Sequence, residues 1–264
     1  MKVIAEERRI VIRNGASRVL IEPWGENSVR VRMTAEAQMD DHDWALCEKV
    51  KEITPVITQT TVDMTDPWYR GEEWKKYHYT GTEYTMVIGK LTVKVNAEGW
   101  ISFYNQKGDL LTQEYWRTRD RINRYCVRDR ICRYAVPIRI PARELKPITG
   151  TSDYELTARF EAFDDEKIFG MGQYQEKHMD KKGAVLELAH RNSQASVPFY
   201  VSSRGYGFFW NNPAIGTATF GMNKTEWHAK STKKMDYFLT AGDTPAEILM
   251  QYTAATGRSP MMPE

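Results

Sequence analysis

Apolar and polar residues alternate with a period of two along most of this chain, in short runs bounded by Gly, Asn, Asp or Pro. Successive side chains of a strand point to opposite faces, so such runs predict strands with one buried and one polar face. Ile10-Val11-Ile12 stops at Asn14-Gly15, a strong turn pair. Val19-Leu20-Ile21 leads through Pro23-Trp24-Gly25-Glu26-Asn27 to Val29, Val31 and Met33, which alternate with Arg30 and Arg32. Gly89 to Val95 and Trp100 to Tyr104 repeat the pattern, with turns at Asn96 to Gly99 and at Lys107-Gly108-Asp109. Further runs cover Tyr154 to Phe160, Val185 to Leu188, Val197 to Val201, Gly207 to Trp210, Thr217 to Phe220 and Met235 to Thr240. Many short strands joined by tight turns predict an all-β fold, an antiparallel β-sandwich.

One segment departs from this period. Thr244-Pro245-Ala246-Glu247 has the form of a capping box with Pro at the first helical position, which predicts a short C-terminal helix. Ile248, Leu249, Tyr252 and Ala255 are expected on one face, with Gly257 ending the helix. The expected organisation is a sandwich domain over 1–242, with 35–85 as a long, charge-rich excursion packed on the sheet. A helix over 243–257 and the start of a linker at 258–264 complete it.

The chain has 264 residues, 41% of them hydrophobic and 12% aromatic, enough to bury a core and too many for global disorder. The 37 basic and 35 acidic side chains nearly cancel to a net charge of +2, leaving no global field to capture nucleic acid or an anionic membrane. Cys47, Cys126 and Cys132 are odd in number and form no CxxC pair, which suits free thiols in a reducing compartment. Met1 to Arg13 has no continuous apolar stretch, and no later run approaches the roughly 18 residues of a membrane span. A soluble, cytoplasmic protein is expected.

Several clusters invite chemical readings. Asp40-Asp41-His42-Asp43 offers four metal-ligand side chains, but neighbours in sequence point in different directions, so a solvated loop is expected and no metal or cofactor is assigned. From Arg117 to Arg143, nine arginines interleave with Trp116, Tyr125 and Tyr134; without a recognition signature, amphipathic strands account for them better than a nucleic-acid surface. Asp164-Asp165-Glu166 cannot act as a glycosidase pair, because acid and base must face each other across a bond, so a polar turn is expected. Gly170-Met171-Gly172 lacks the third glycine of a dinucleotide site and is expected to bend the backbone at a sheet rim, leaving Gln173 and Tyr174 there. Tyr and Gln together suit a sugar, one offering a flat face and the other donors and acceptors. His190-Arg191-Asn192-Ser193-Gln194 gathers hydrogen-bonding side chains between two strands, where binding groups often collect.

Phe169-Gly170-Met171-Gly172-Gln173, Arg191-Asn192-Ser193-Gln194, the run from Val197 to Asn212, the run from Asp236 to Pro245, and Glu22 to Arg32 occur in an order that resembles glycoside hydrolase family 31, the α-glucosidases and α-xylosidases. The resemblance implies a galactose-mutarotase-like sandwich that packs against a catalytic (β/α)8 barrel. The family's nucleophile and acid/base aspartates belong to that barrel, which needs on the order of 250 further residues, so no catalytic residue is assigned in this chain. By order along the chain, a family loop that helps form the substrate pocket matches Arg191, Asn192, Ser193 and Gln194, with Gln173 and Tyr174 nearby.

The implied function is therefore that of the amino-terminal domain of a retaining α-glycosidase, inactive alone, with an α-glucoside or α-xyloside oligosaccharide and the barrel as partners; a homo-oligomer stays open. Two alternatives stand beside it. One is an aldose mutarotase, for which His178, His190 and Glu187 are the candidate acid/base groups. The other is a non-catalytic carbohydrate-binding module.

Overall fold

The computed structural model describes residues 1–46, 53–64, 79–115, 117–119 and 138–261. Its strands form three main antiparallel sheets. The eight-stranded sheet uses β1 (Lys2–Ala5), β2 (Ile10–Asn14), β3 (Ser17–Pro23), β4 (Ser28–Thr34), β14 (Ile168–Gln173), β16 (Ala195–Ser202), β17 (Tyr206–Trp210) and β20 (Lys234–Ala241). Their spatial order is β1-β2-β3-β4-β20-β17-β16-β14, so the two ends of the chain meet at the β4–β20 pair. A five-stranded sheet runs β5 (Val56–Met64), β6 (Tyr79–Ile88), β7 (Leu91–Val95), β8 (Ile101–Asn105), β9 (Leu110–Gln113). Another runs β12 (Arg143–Pro147), β13 (Tyr154–Glu161), β19 (Lys224–Thr232), β18 (Gly216–Phe220), β15 (Val185–Leu188). A short pair, β10 (Arg117–Arg119) with β11 (Ile138–Ile140), lies outside these sheets.

The expected sandwich is present, and the alternation of the sequence decides its layers. Ile10, Ile12, Ile21, Val29 and Val31 turn inward from the large sheet and meet Val93, Val95, Ile101, Phe103 and Phe160 from the smaller ones. Aromatic rings bridge the layers: Tyr237 stacks on Phe208 at 5.0 Å between centroids, and Phe208 on Trp227 at 5.2 Å. Each fully buried large apolar side chain contributes about 1.5–3 kcal/mol relative to exposure, so this layer dominates the stability. The two five-stranded sheets join where Tyr115 donates its backbone N–H to the Arg159 carbonyl at 2.9 Å. Beside that joint, buried Glu114 accepts from the Ile101 N–H at 3.1 Å and meets Arg143 at 3.3 Å. Desolvation pushes its carboxyl above the usual range.

The outer face of the large sheet is covered twice. Helix α1 (Pro245–Thr256) lays Ile248 and Ala255 on Phe199, Phe209 and Phe238. Thr244 accepts from the Glu247 N–H at 3.2 Å, as the capping pattern predicts. Leu249, expected on the buried face, is exposed instead, because Ile248, half-buried Tyr252 and Ala255 follow the helical spacing and their neighbour is rotated about 100° away. Gly207 permits the close approach of α1, since a Cβ there would lie 2.5 Å from the Ile248 Cγ2.

Residues 36–46 form the second cover, the start of the excursion, while β5 and most of β6 occupy its later part. Asp43, Asp41 and Asp40 each take a cation of the sheet: Arg30 at 2.6 Å, Arg32 at 2.8 Å and Lys234 at 3.6 Å. The acidic run expected as a solvated loop is thus a strap of counter-ions. The turn at Asp164-Asp165-Glu166 is likewise partly internal: Glu166 is buried and accepts from Ser202 Oγ at 2.6 Å and the Tyr206 hydroxyl at 2.7 Å. The three cysteines and most of the arginine-rich run lie outside the described residues.

Candidate functional site

The polar loop between β15 and β16 is a tight hairpin. Gln194 donates its N–H to the Arg191 carbonyl at 2.9 Å, and Asn192 and Ser193 form the tip. Ser193 holds φ at 70°, a left-handed value that non-glycine residues seldom adopt. Arg191 folds back along the hairpin and grips Glu187 in a two-point ion pair, Nε at 2.8 Å and Nη2 at 2.7 Å. That hydrogen bonding holds the Glu187 carboxyl below the usual carboxylate range. Asn192 and Ser193 are left exposed, and Gln194 is half-buried.

Gln173 and Tyr174 lie against this hairpin, as the sequence predicts. Gln173 pairs with Ala195 across β14 and β16, and the Tyr174 hydroxyl hydrogen-bonds Ser196 Oγ at 2.8 Å and the Glu187 carbonyl at 2.9 Å. The Gly-Met-Gly bend makes this possible. Register shifts between Gly170 and Gly172, and Gly172 takes φ 90° so close to β16 that a Cβ would lie 2.2 Å from the Ala195 carbonyl oxygen. Burial is the largest influence on Tyr174 and pushes its phenol up. The six residues chosen from sequence therefore form one patch, with Arg191 bracing it and the tip residues facing outward.

At the base of the hairpin lies a pocket of about 670 Å³, within the usual range for ligand sites. Leu188 to His190 and Ser196 to Pro198 form one wall; Asn211 to Ile215 and Tyr252 of α1 form another. The strap supplies the third with His42 and Trp44. Among the described residues that line it, none is Asp, Glu, Lys or Arg. Reading the chain segment by segment misses Trp44, Asn212 and Tyr252, because they come from three separate stretches. The signal available in the sequence is a lone tryptophan beside an acidic run.

Trp44 is set in place by buried polar groups. Arg30 forms a two-point pair with Asp236 and a third bond to Asp43 at 2.6 Å. Asn211 donates Nδ2 to Asp236 at 3.0 Å and to the Asp43 carbonyl at 2.9 Å, and its Oδ1 accepts from the Ala45 N–H at 3.3 Å. Both neighbours of Trp44 are thereby anchored. His42 meets its ring edge-on, with centroids 4.4 Å apart.

Among the described residues no group of three or more His, Cys, Asp or Glu could hold a metal ion. Glu187, a candidate acid/base group for a mutarotase, is committed to Arg191, while the close histidine–carboxylate pair is His228 with Glu155 at 2.7 Å, on β19 and β13. Among the described residues no helix is long and apolar enough to cross a membrane.

The fold on which this hairpin and pocket sit is a two-layer antiparallel β-sandwich. Residues 18–217 match the family model for the glycosyl hydrolase 31 N-terminal galactose mutarotase-like domain, and the chain belongs to that family. It is similar to an uncharacterized family 31 glucosidase, ORF2, of Pseudescherichia vulneris, with 42% identity over 244 residues, 92% of this chain and 42% of that protein. An alpha-xylosidase of Saccharolobus solfataricus shares 30% identity over 131 residues, 46% of this chain and 18% of that protein. Among solved structures, a family 31 alpha-xylosidase from a soil metagenome, complexed with xylose, matches with a TM-score of 0.80 and 43% identity, over 100% of this chain and 36% of that one. The chain thus spans less than half the length of these relatives.

Proposed function

We propose that this chain is the amino-terminal sandwich of a retaining α-glycosidase acting on α-xylosides or α-glucosides, and that it supports a catalytic barrel and lends the Arg191–Gln194 hairpin to the substrate pocket. Retaining hydrolysis needs two carboxyl groups about 5 Å apart, one as nucleophile and one as acid/base, and this reading assigns both to the barrel. The observation that carries it is the hairpin itself. Its outward tip, Asn192-Ser193, is held on a left-handed backbone and braced from below by the Arg191–Glu187 pair and the Tyr174 hydroxyl. Preorganised amide and hydroxyl groups of this kind suit sugar hydroxyls.

In the protein that carries the barrel, Asn192→Ala and Ser193→Ala should raise KM for an aryl α-xyloside several-fold with a smaller effect on kcat. Unchanged kinetic constants would remove the hairpin from the pocket. The chain alone should not turn over aryl α-xylosides or α-glucosides; activity that tracks its concentration would overturn the assignment.

A further inference from the structure

Trp44 combines three properties that rarely coincide. It is 47% exposed, more than any other Trp, Tyr or Phe among the described residues, it takes φ 53°, and it lines the 670 Å³ pocket beside the hairpin. A bulky residue in the left-handed region is strained, and an exposed indole gives up burial that the core could have offered. The strap nonetheless holds it there, through Asp43 on one side and Ala45 on the other, both tied to buried Asn211. Such strain persists only where the surrounding structure over-determines it, and it clusters at ligand sites.

The chemistry of the pocket narrows the ligand. In a chain that is 27% charged, the lining among the described residues contains no Asp, Glu, Lys or Arg, so it offers no permanent charge to pair with a phosphate, a carboxylate or an ammonium group. It is not purely apolar either. His42 and His190 are among its lining residues, and Ser196 Oγ, whose proton goes to the Tyr174 oxygen while the Tyr174 hydroxyl serves the Glu187 carbonyl, keeps a lone pair to accept. A flat aromatic face with neutral donors and acceptors around it matches a ligand with an apolar C–H face and a ring of hydroxyls.

We propose that the pocket rimmed by Trp44 binds a neutral pyranose, with the indole as the stacking platform and Ser196, His190 and His42 as hydroxyl partners. The proposal rests on the carbohydrate reading above and adds to it a second contact surface of the sandwich, beyond the hairpin tip.

The test uses this chain as it stands. Methyl α-D-xylopyranoside and methyl α-D-glucopyranoside are titrated while the indole N–H resonance of Trp44, assigned by its loss in Trp44→Phe, is followed by NMR. Saturable shifts with a Kd in the millimolar range are expected. Trp44→Ala should weaken binding at least tenfold, and Trp44→Phe, which keeps a ring, should weaken it less. An unchanged thermal midpoint in both variants shows that the fold is intact. Glucuronate, whose charge the pocket does not match, should bind more weakly than the neutral glucoside. No saturable shift up to about 100 mM, or equal binding by Trp44→Ala and the parent chain, overturns the proposal. Either result leaves the hairpin reading standing, since that is judged by the KM of the longer protein.

Discussion

Arg30 and Asp236 lie on adjacent antiparallel strands and form a two-point ion pair, Nε to Oδ1 at 2.9 Å and Nη2 to Oδ2 at 2.6 Å, with side chains 1% and 0% exposed. Neither group can be left alone at that depth. Removing one partner of a buried pair strands an uncompensated charge, at a cost of about 3–5 kcal/mol. Asp236→Ala should therefore lower the free energy of unfolding by that amount, read as a lower denaturant midpoint at an unchanged slope. A loss below about 1 kcal/mol would mean that the pair is solvated in solution.

Asn211 links the same pair to the strap, so its removal should be felt at Trp44. Asn211→Ala should cost about 1–3 kcal/mol, since it leaves buried hydrogen-bonding groups unmatched. It should also speed amide exchange at Ala45, whose N–H it holds at 3.3 Å. Hydrogen exchange followed by NMR reads this directly, and unchanged protection at Ala45 would contradict the anchoring.

Gly172 cannot accept a side chain. Its φ of 90° disfavours any other residue by about 1–3 kcal/mol, and the Ala195 carbonyl oxygen sits 2.2 Å from where a Cβ would fall. Gly172→Ala should lower stability by at least that amount and shift the Tyr174 resonances, because β14 must move away from β16. Gly183→Ala, at a positive φ with open space around it, is the control and should show the smaller loss.

The cap of α1 should respond to acid. Lys90 Nζ contacts Asp243 at 2.5 Å and Glu247 at 3.0 Å, and its hydrogen bonds hold both carboxyls below their usual values. A carboxyl with a depressed folded-state pKa stabilises the fold above its unfolded value and loses that contribution as pH falls through the folded one. The thermal midpoint should fall as pH drops below about 4, and Lys90→Met should flatten that part of the profile. Added salt should have the same sign of effect, because these groups are exposed.

The local features were legible for local reasons. Alternation around Ile10-Val11-Ile12 and Leu91 to Val95 reports the two faces of a strand, and Thr244-Pro245-Ala246-Glu247 reports a helix start, because each depends on residues within a few positions. Leu249 shows the limit. Both it and Ile248 are apolar, and the packed surface of β17 and β20 selects Ile248.

The sequence by itself determined an all-β sandwich, its terminal helix, its family, and the gathering of Gln173 and Tyr174 with Arg191 to Gln194. Only the tertiary structure decided what the acidic strap does, that Arg191 braces the hairpin, and that Trp44, Ser196 and His190 line one pocket. The reason is separation along the chain. Arg30 and Asp236 are 206 residues apart, and periodicity, which reports the face a residue takes, carries no information about which distant strand will lie beside it.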